Sequence, residues 1–328
     1  MKAIVCTRYG LPKAIELREV GRPVPRDNEV LVEVHASSVT YSNQIFTSSK
    51  FFPFRLIFGK QMMPDSRIPG SDMAGRVVAI SKDVKQFRIG DEVYGDLFGR
   101  AKGAFAEYVC APENLLALKP TNLSFAEAAA VPESARVALQ GLRDYGKIQK
   151  GQKVLIYSAS GGIGTFAVQI AKHYGAEVTG VCSSRNLDMV RSLGADHVID
   201  YTREDFTKNG QQYDLIFAVR RTRSIWAIKR ALGPGGVYVS TACPSISRLF
   251  QEFFIGPRIL RNDDKKVAVI RLDANQKDLV FMRELIEAGK VKPVIDRRYP
   301  LGEVSEAFRY YAKGHARGKV VITVEHGN

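Results

Sequence analysis

The 328-residue chain is poor in cysteine and has a single tryptophan. Its four cysteines, Cys6, Cys110, Cys182 and Cys243, stand far apart, with no Cys-x-x-Cys pair and no histidine near enough in sequence to complete a ligand cluster. That spacing excludes a disulfide scaffold and argues against structural zinc, so no metal is expected. Scattered thiols of this kind read as reduced, small core residues of a reducing compartment. Apolar runs of about 18 residues are missing too, so no membrane-spanning helix is expected. The opening Met-Lys-Ala-Ile-Val-Cys alternates like a strand and has neither a secretory nor a transit-peptide pattern, which points to a cytoplasmic protein. Lys plus Arg outnumber Asp plus Glu by 48 to 34, giving +14, yet no block of five or six like charges occurs. Charge so dispersed makes a basic solvated surface and carries no strong nucleic-acid signal.

With 45% hydrophobic and 25% charged residues, the composition is that of a globular protein, and the length suits about two domains. The first hundred residues have an all-β texture. Glu29 to His35 alternates with period two after a Pro-rich turn, and Gly70, Gly75, Gly90, Gly95, Gly99 and Gly103 punctuate brief apolar runs. His35 lies on such a strand without another His or Cys near it in sequence, and reads as a satisfied structural histidine. From about residue 121 the rhythm changes. Ser124 and Glu127 form a capping box. Lys153 to Ser158 is a buried strand, Ile163 to Tyr174 an amphipathic helix stopped by Gly175, and Glu177 to Cys182 the next strand. Further strands at 197–200, 214–219 and 237–241 alternate with helices at 186–193 and 224–232, which is the pattern of an α/β doubly wound parallel sheet. A helix within 300–314 and a strand at 319–324 close the chain.

Between the strand ending at Ser158 and its helix runs Ser158-Ala159-Ser160-Gly161-Gly162-Ile163-Gly164, a shortened form of the dinucleotide fingerprint. Glycines there let the backbone turn tightly against a pyrophosphate, whose charge meets N–H groups at the helix N-terminus. Ser160, Gly161, Gly162, Ile163 and Gly164 are therefore candidate cofactor residues. At the end of the next strand an NAD site carries an acid for the ribose 2′-hydroxyl. This chain has Cys182-Ser183-Ser184-Arg185-Asn186 instead, with no carboxylate before Asp188. Hydroxyls followed by arginine suit a 2′-phosphate, so Ser183 and Arg185 point to NADPH.

These segments, together with Ile68-Pro69-Gly70-Ser71-Asp72-Met73-Ala74-Gly75, Gly90-Asp91-Glu92-Val93-Tyr94-Gly95, Gly103-Ala104-Phe105-Ala106-Glu107-Tyr108 and the tail Gly314 to Val321, resemble the medium-chain dehydrogenase/reductase superfamily, in its zinc-free quinone oxidoreductase branch. The resemblance covers nearly the whole chain. It implies a GroES-like β-barrel catalytic domain over 1–122 and 286–328, a Rossmann NADP(H)-binding domain over 123–285, and a homodimer. It also assigns Tyr201 and Arg317 to the cofactor. Where zinc-dependent relatives carry metal ligands, this chain reads Ser38-Val39-Thr40-Tyr41-Ser42-Asn43 and Gly70-Ser71-Asp72. Pro132-Glu133-Ser134-Ala135-Arg136-Val137 also departs from the family pattern, which has a threonine near the nicotinamide.

Without a metal to polarise a simple alcohol, and without a helical Tyr-x-x-x-Lys pair, hydride transfer to an already electrophilic quinone or α,β-unsaturated carbonyl remains. Tyr41 is the first candidate donor to the developing oxyanion, with Thr40 and Asn43 next. Phe46, Phe51, Phe52, Phe54 and Phe58 suggest an aromatic wall over a small apolar electrophilic substrate, a core or dimer filler, or a peripheral membrane contact. Arg220, Arg221 and Arg223 follow a strand end and read as a solvated loop or a phosphate contact. Two alternatives stand beside the quinone or enone reductase: an enoyl or alkene reductase of one metabolite, and a non-catalytic NADPH-binding protein acting through its basic surface.

Overall fold

A computed structural model describes residues 1–6, 15–46, 68–98, 103–219, 223–241, 256–261, 264–270 and 273–326. Two compact units emerge: residues 1–136, 274–289 and 293–328 form the first, and 137–273 with 290–292 the second. The division expected at 122/123 and 285/286 thus lies at 136/137 and 273/274. The capped helix Phe125–Ala129 and the helix Gln276–Glu287 are counted with the first unit. The strand-like texture of neighbouring segments marks a change of rhythm, whereas these helices pack with the barrel strands.

The first seven strands are β1 (Lys2–Cys6), β2 (Ile15–Glu19), β3 (Glu29–Val39), β4 (Asp72–Ile80), β5 (Glu92–Asp96), β6 (Tyr108–Pro112) and β7 (Leu116–Leu118). In the second unit follow β8 (Lys153–Tyr157), β9 (Glu177–Cys182), β10 (His197–Asp200), β11 (Tyr213–Ala218), β12 (Leu232–Ser240) and β13 (Lys266–Val269). The last two, β14 (Ile295–Pro300) and β15 (Lys319–Thr323), belong again to the first unit.

In the first unit β14-β15-β3-β4-β5-β7 make one sheet, with β6 also paired to β3. Strand β3 is its hub, antiparallel to β4, β6 and β15 at once. Its side chains alternate only in part because both faces are covered, and Val30, Val32, Val34 and Val39 join Met73, Phe105, Phe308 and Ile322 in one core. The second unit is a six-stranded sheet in the order β10-β9-β8-β11-β12-β13, parallel throughout. Numbered from its own first strand, that is 3-2-1-4-5-6, the doubly wound order of dinucleotide-binding folds. Val154, Leu155 and Ile156 are fully buried, as a central parallel strand requires. The strand expected at 237–241 starts earlier, at Leu232, where the expected helix was to end, and β12 has an irregular register against β11.

Candidate active site

The second unit presents the glycine loop at the end of β8, beside the point where strand order reverses and ligands dock in such sheets. Ser158 takes a left-handed φ of 70° to make the turn. Gly161 caps the helix Gly162–His173 in extended conformation, with no side chain covering the first N–H groups. Those groups stay open to an anion. Gly164 is needed for packing, since a Cβ there would stand 2.1 Å from the Ser158 carbonyl oxygen. Ile163 is half-buried in the first turn.

Ser160 and Ser183, from loops following β8 and β9, are brought together by Asn186. Its Nδ2 donates to Ser160 Oγ at 3.1 Å and to Ser183 Oγ at 3.2 Å. Each serine oxygen therefore accepts one bond and keeps its own O–H to donate. Asn186 is 4% exposed, and its Oδ1 is buried with no partner. A buried acceptor beside two hydroxyl donors fits a ribose phosphate, which offers both hydroxyls and anionic oxygens. The sequence reading used Asn186 only as a neighbour of Arg185 and missed this role. Arg185 is exposed on the short 3-10 turn Ser184–Asn186, and Tyr201, just past β10, is 44% exposed.

One acid near this turn also escaped the sequence reading, because it comes from the adjacent strand. Ser184 Oγ donates to Asp200 at 2.5 Å, and Thr202 donates through both N–H and O–H. The Ser184 bond foremost holds the Asp200 carboxyl below its ordinary range, so its oxygens are committed as acceptors within the loop. Arg223 pairs with Asp205 at 3.1 Å, which gives it a partner within the unit, while Arg220 and Arg221 lie outside the described residues.

Arg317 belongs to the first unit, where it is exposed and donates its backbone N–H to Asp296. That unit also holds Thr40, Tyr41 and Asn43 at the start of the helix Tyr41–Phe46. Thr40 and Asn43 cap each other reciprocally: each backbone N–H donates to the other's side-chain oxygen at 3.3 Å. Both are buried and both reach Ser71, Thr40 with its hydroxyl at 3.4 Å and Asn43 through Nδ2 at 3.3 Å. Tyr41 is half-buried beside them. Phe46 has only its backbone described, and Phe51, Phe52, Phe54 and Phe58 lie outside the described residues.

Beneath these groups is a buried polar cluster that the sequence did not announce. Lys319 Nζ lies 3.0 Å from Asp72 and 3.1 Å from Ser134, and Arg136 pairs with Asp96 at 2.5 Å. Asp72 accepts further from Ser38 and from the Glu133 N–H. Glu133 accepts from Ser42 at 2.7 Å and from Ser71 at 3.1 Å, tying the cluster to Thr40 and Asn43. Two cations and two aspartates balance, so Glu133 is the surplus acid. Burial above all, then Asp96 and Asp72, pushes its carboxyl up to about 7. Near neutrality it is divided between its protonated and ionised forms.

Asp72, Asp96 and Glu133 bring carboxylate oxygens within 4.8 Å of one another, which raises the question of zinc. Two of the three are already paired to buried Lys319 and Arg136, and Ser71 supplies a hydroxyl. Zinc takes thiolate, imidazole or free carboxylate donors, so these residues do not fit one.

Residues 26–121 match the family described as the alcohol dehydrogenase GroES-like domain, and residues 193–322 the one described as zinc-binding dehydrogenase. The chain is 34% identical to a 2-methylene-furan-3-one reductase of Solanum lycopersicum, covering 98% of this chain and 79% of that protein. It belongs to the medium-chain dehydrogenase/reductase superfamily, in its zinc-free quinone oxidoreductase branch. An NADPH-dependent alkenal/one oxidoreductase of Arabidopsis thaliana, chloroplastic by name, is 32% identical over 98% of this chain and 79% of its own. The solved quinone oxidoreductase of Coxiella burnetii superposes with a TM-score of 0.87 over 99% of both chains at 28% identity. The chain is thus a nicotinamide-dependent oxidoreductase by family. His35, read from sequence as lacking a second histidine, has His326 at 5.3 Å between ring centroids, because the chain end returns to β3. No helix among the described residues is long and apolar enough to cross a membrane.

Proposed function

We propose that the protein is an NADPH-dependent reductase of quinones or α,β-unsaturated carbonyls, working as a cytoplasmic homodimer on a small apolar substrate. The observation that carries the choice of cofactor is the Asn186-anchored pair of Ser160 and Ser183 beside exposed Arg185, with the nearby acid Asp200 committed elsewhere. When bound, the reduced nicotinamide supplies hydride to the electrophilic carbon. Gly161 and Gly162 take the pyrophosphate at the helix N-terminus, while Ser160, Ser183, Arg185 and Tyr201 take the 2′-phosphate. Tyr41, Thr40 and Asn43 donate to the oxygen on which negative charge develops. Glu133 holds a proton behind Ser42 and Ser71, where it can replenish those hydroxyls.

The relatives named for alkenal/one, furanone and quinone reduction support the substrate class, all being electrophiles that need no metal. A panel of quinones, alkenals and simple alcohols tests it. NADPH oxidation with the first two and no NADP⁺ reduction with the alcohols is expected. Turnover of alcohols alone would overturn the reading.

A further inference from the structure

Apart from the reductase chemistry, we propose that Glu33, His35 and His326 form a binding site for a divalent transition-metal ion, zinc(II) foremost, on the barrel unit. Glu33 and His35 alternate on β3 and so share one face of the strand. His326 arrives just after β15, where the Val324 N–H donates to the His35 carbonyl at 3.0 Å and fixes the register of the chain end. His35 Nε2 lies 3.4 Å from one Glu33 oxygen and His326 Nδ1 3.8 Å from the other. The three donor atoms all fall within 4.8 Å of one another. A tetrahedral zinc with bonds near 2.0–2.1 Å needs donors about 3.3 Å apart, so donors up to 4.8 Å apart have to close by at most about 1.5 Å, within reach of side-chain rotation.

The orientation of each donor argues for a cation rather than for packing alone. His326 Nε2 lies 2.9 Å from the Val34 carbonyl, which can only accept; Nε2 therefore carries the hydrogen, and a neutral ring has its lone pair on Nδ1, toward Glu33. Tyr108 donates its hydroxyl to Glu33 at 3.1 Å and steers the carboxylate. His35 is stacked on Phe125, with ring centroids 4.3 Å apart at 10°. Its Nε2 is inaccessible to solvent and has Glu33 at 3.4 Å as its nearest charged neighbour. A buried ring nitrogen facing a second imidazole and a carboxylate is an arrangement that a metal ion completes. Arg76 and Arg22, which stacks on Tyr108 at 3.9 Å, flank the group. Imidazole donors favour zinc, nickel or copper over alkali and alkaline-earth ions, and bind them strongly enough to offset this nearby positive charge.

Two imidazoles and one carboxylate leave a fourth position for water, and the ion would pin the end of the chain to the hub strand of the barrel. Tag-free, chelator-stripped protein should be titrated with zinc chloride at pH 7.5 against a chromogenic chelator, as wild type, His326→Ala and Glu33→Gln. One zinc per chain is expected, weakened at least about tenfold in each variant, with zinc raising the melting temperature of the wild type only. X-ray absorption of the zinc-loaded wild type should show nitrogen and oxygen neighbours without sulfur. Failure of the wild type to bind one zinc, equal binding by both variants, or a sulfur-ligated ion would overturn the proposal, and none of these results bears on nicotinamide binding.

Discussion

Glu133 is where a single side chain is expected to show itself most clearly. Its carboxyl, pushed up to about 7 by burial and by Asp96 and Asp72, favours the neutral form in the fold, whereas the unfolded chain titrates it at an ordinary carboxylate value. The stabilisation is therefore complete below the unfolded value and is lost as pH rises through about 7. Urea unfolding at pH 5.5 and 8.5 should show the wild type losing stability at the higher pH. Glu133→Gln, which keeps the bonds to Ser42 and Ser71, should flatten that difference; an unchanged pH profile would show that Glu133 is ionised throughout. The same variant should lower turnover severalfold at pH 6.5 if the proton passes through Ser42 or Ser71. Sequence alone showed Glu133 as a departure from a family pattern, with no hint of its partners. Its neighbour in the cluster, Lys319, is bonded to Asp72 across 247 positions, a separation no local pattern encodes.

At the scale of elements, the sequence was most legible where one strand, loop and helix form a local unit. The strands β9 and β10 match their expected bounds, and the helix Gly162–His173 is displaced from its expected span by one residue. Period-3.6 patterning and glycine turns set these from nearby residues. The short helix Tyr41–Phe46 was not foreseen, because its start rests on the mutual capping of Thr40 and Asn43 beside Ser71, itself 28 positions from Asn43. Thr40 and Asn43 thereby have a structural duty as well as a candidate catalytic one. Gly164→Ala tests the packing of the nucleotide loop. With 2.1 Å between the new Cβ and the Ser158 oxygen, the loop has to move. A destabilisation of about 1–3 kcal/mol is expected by urea unfolding, together with weaker nucleotide binding. A variant as stable and as tightly binding as wild type would show that Gly164 is not needed for close approach.

Across the molecule, both layouts were legible in outline: strand-rich ends and an alternating middle. The unit boundaries were not, since they depend on which helices pack with the barrel sheet. The first unit is gathered from both ends of the chain, and Lys319 on β15 locks them at its centre. At 2% exposed against a fully buried Asp72, it cannot be removed without leaving a charge unpaired. Lys319→Met should therefore cost about 3–5 kcal/mol in urea unfolding, and adding Asp72→Asn should recover part of that loss. An additive double variant would contradict the pairing.

Selection of a 2′-phosphate by the Ser160–Ser183–Asn186 cradle with Arg185 is tested by equilibrium titration of the wild type and of Arg185→Ala with NADPH and NADH. Tight NADPH and weak NADH binding by the wild type is expected. About 10- to 100-fold weaker NADPH binding by the variant, the effect of one charge-assisted contact, is expected as well, with NADH little changed. Equal or preferential binding of NADH by the wild type would contradict it.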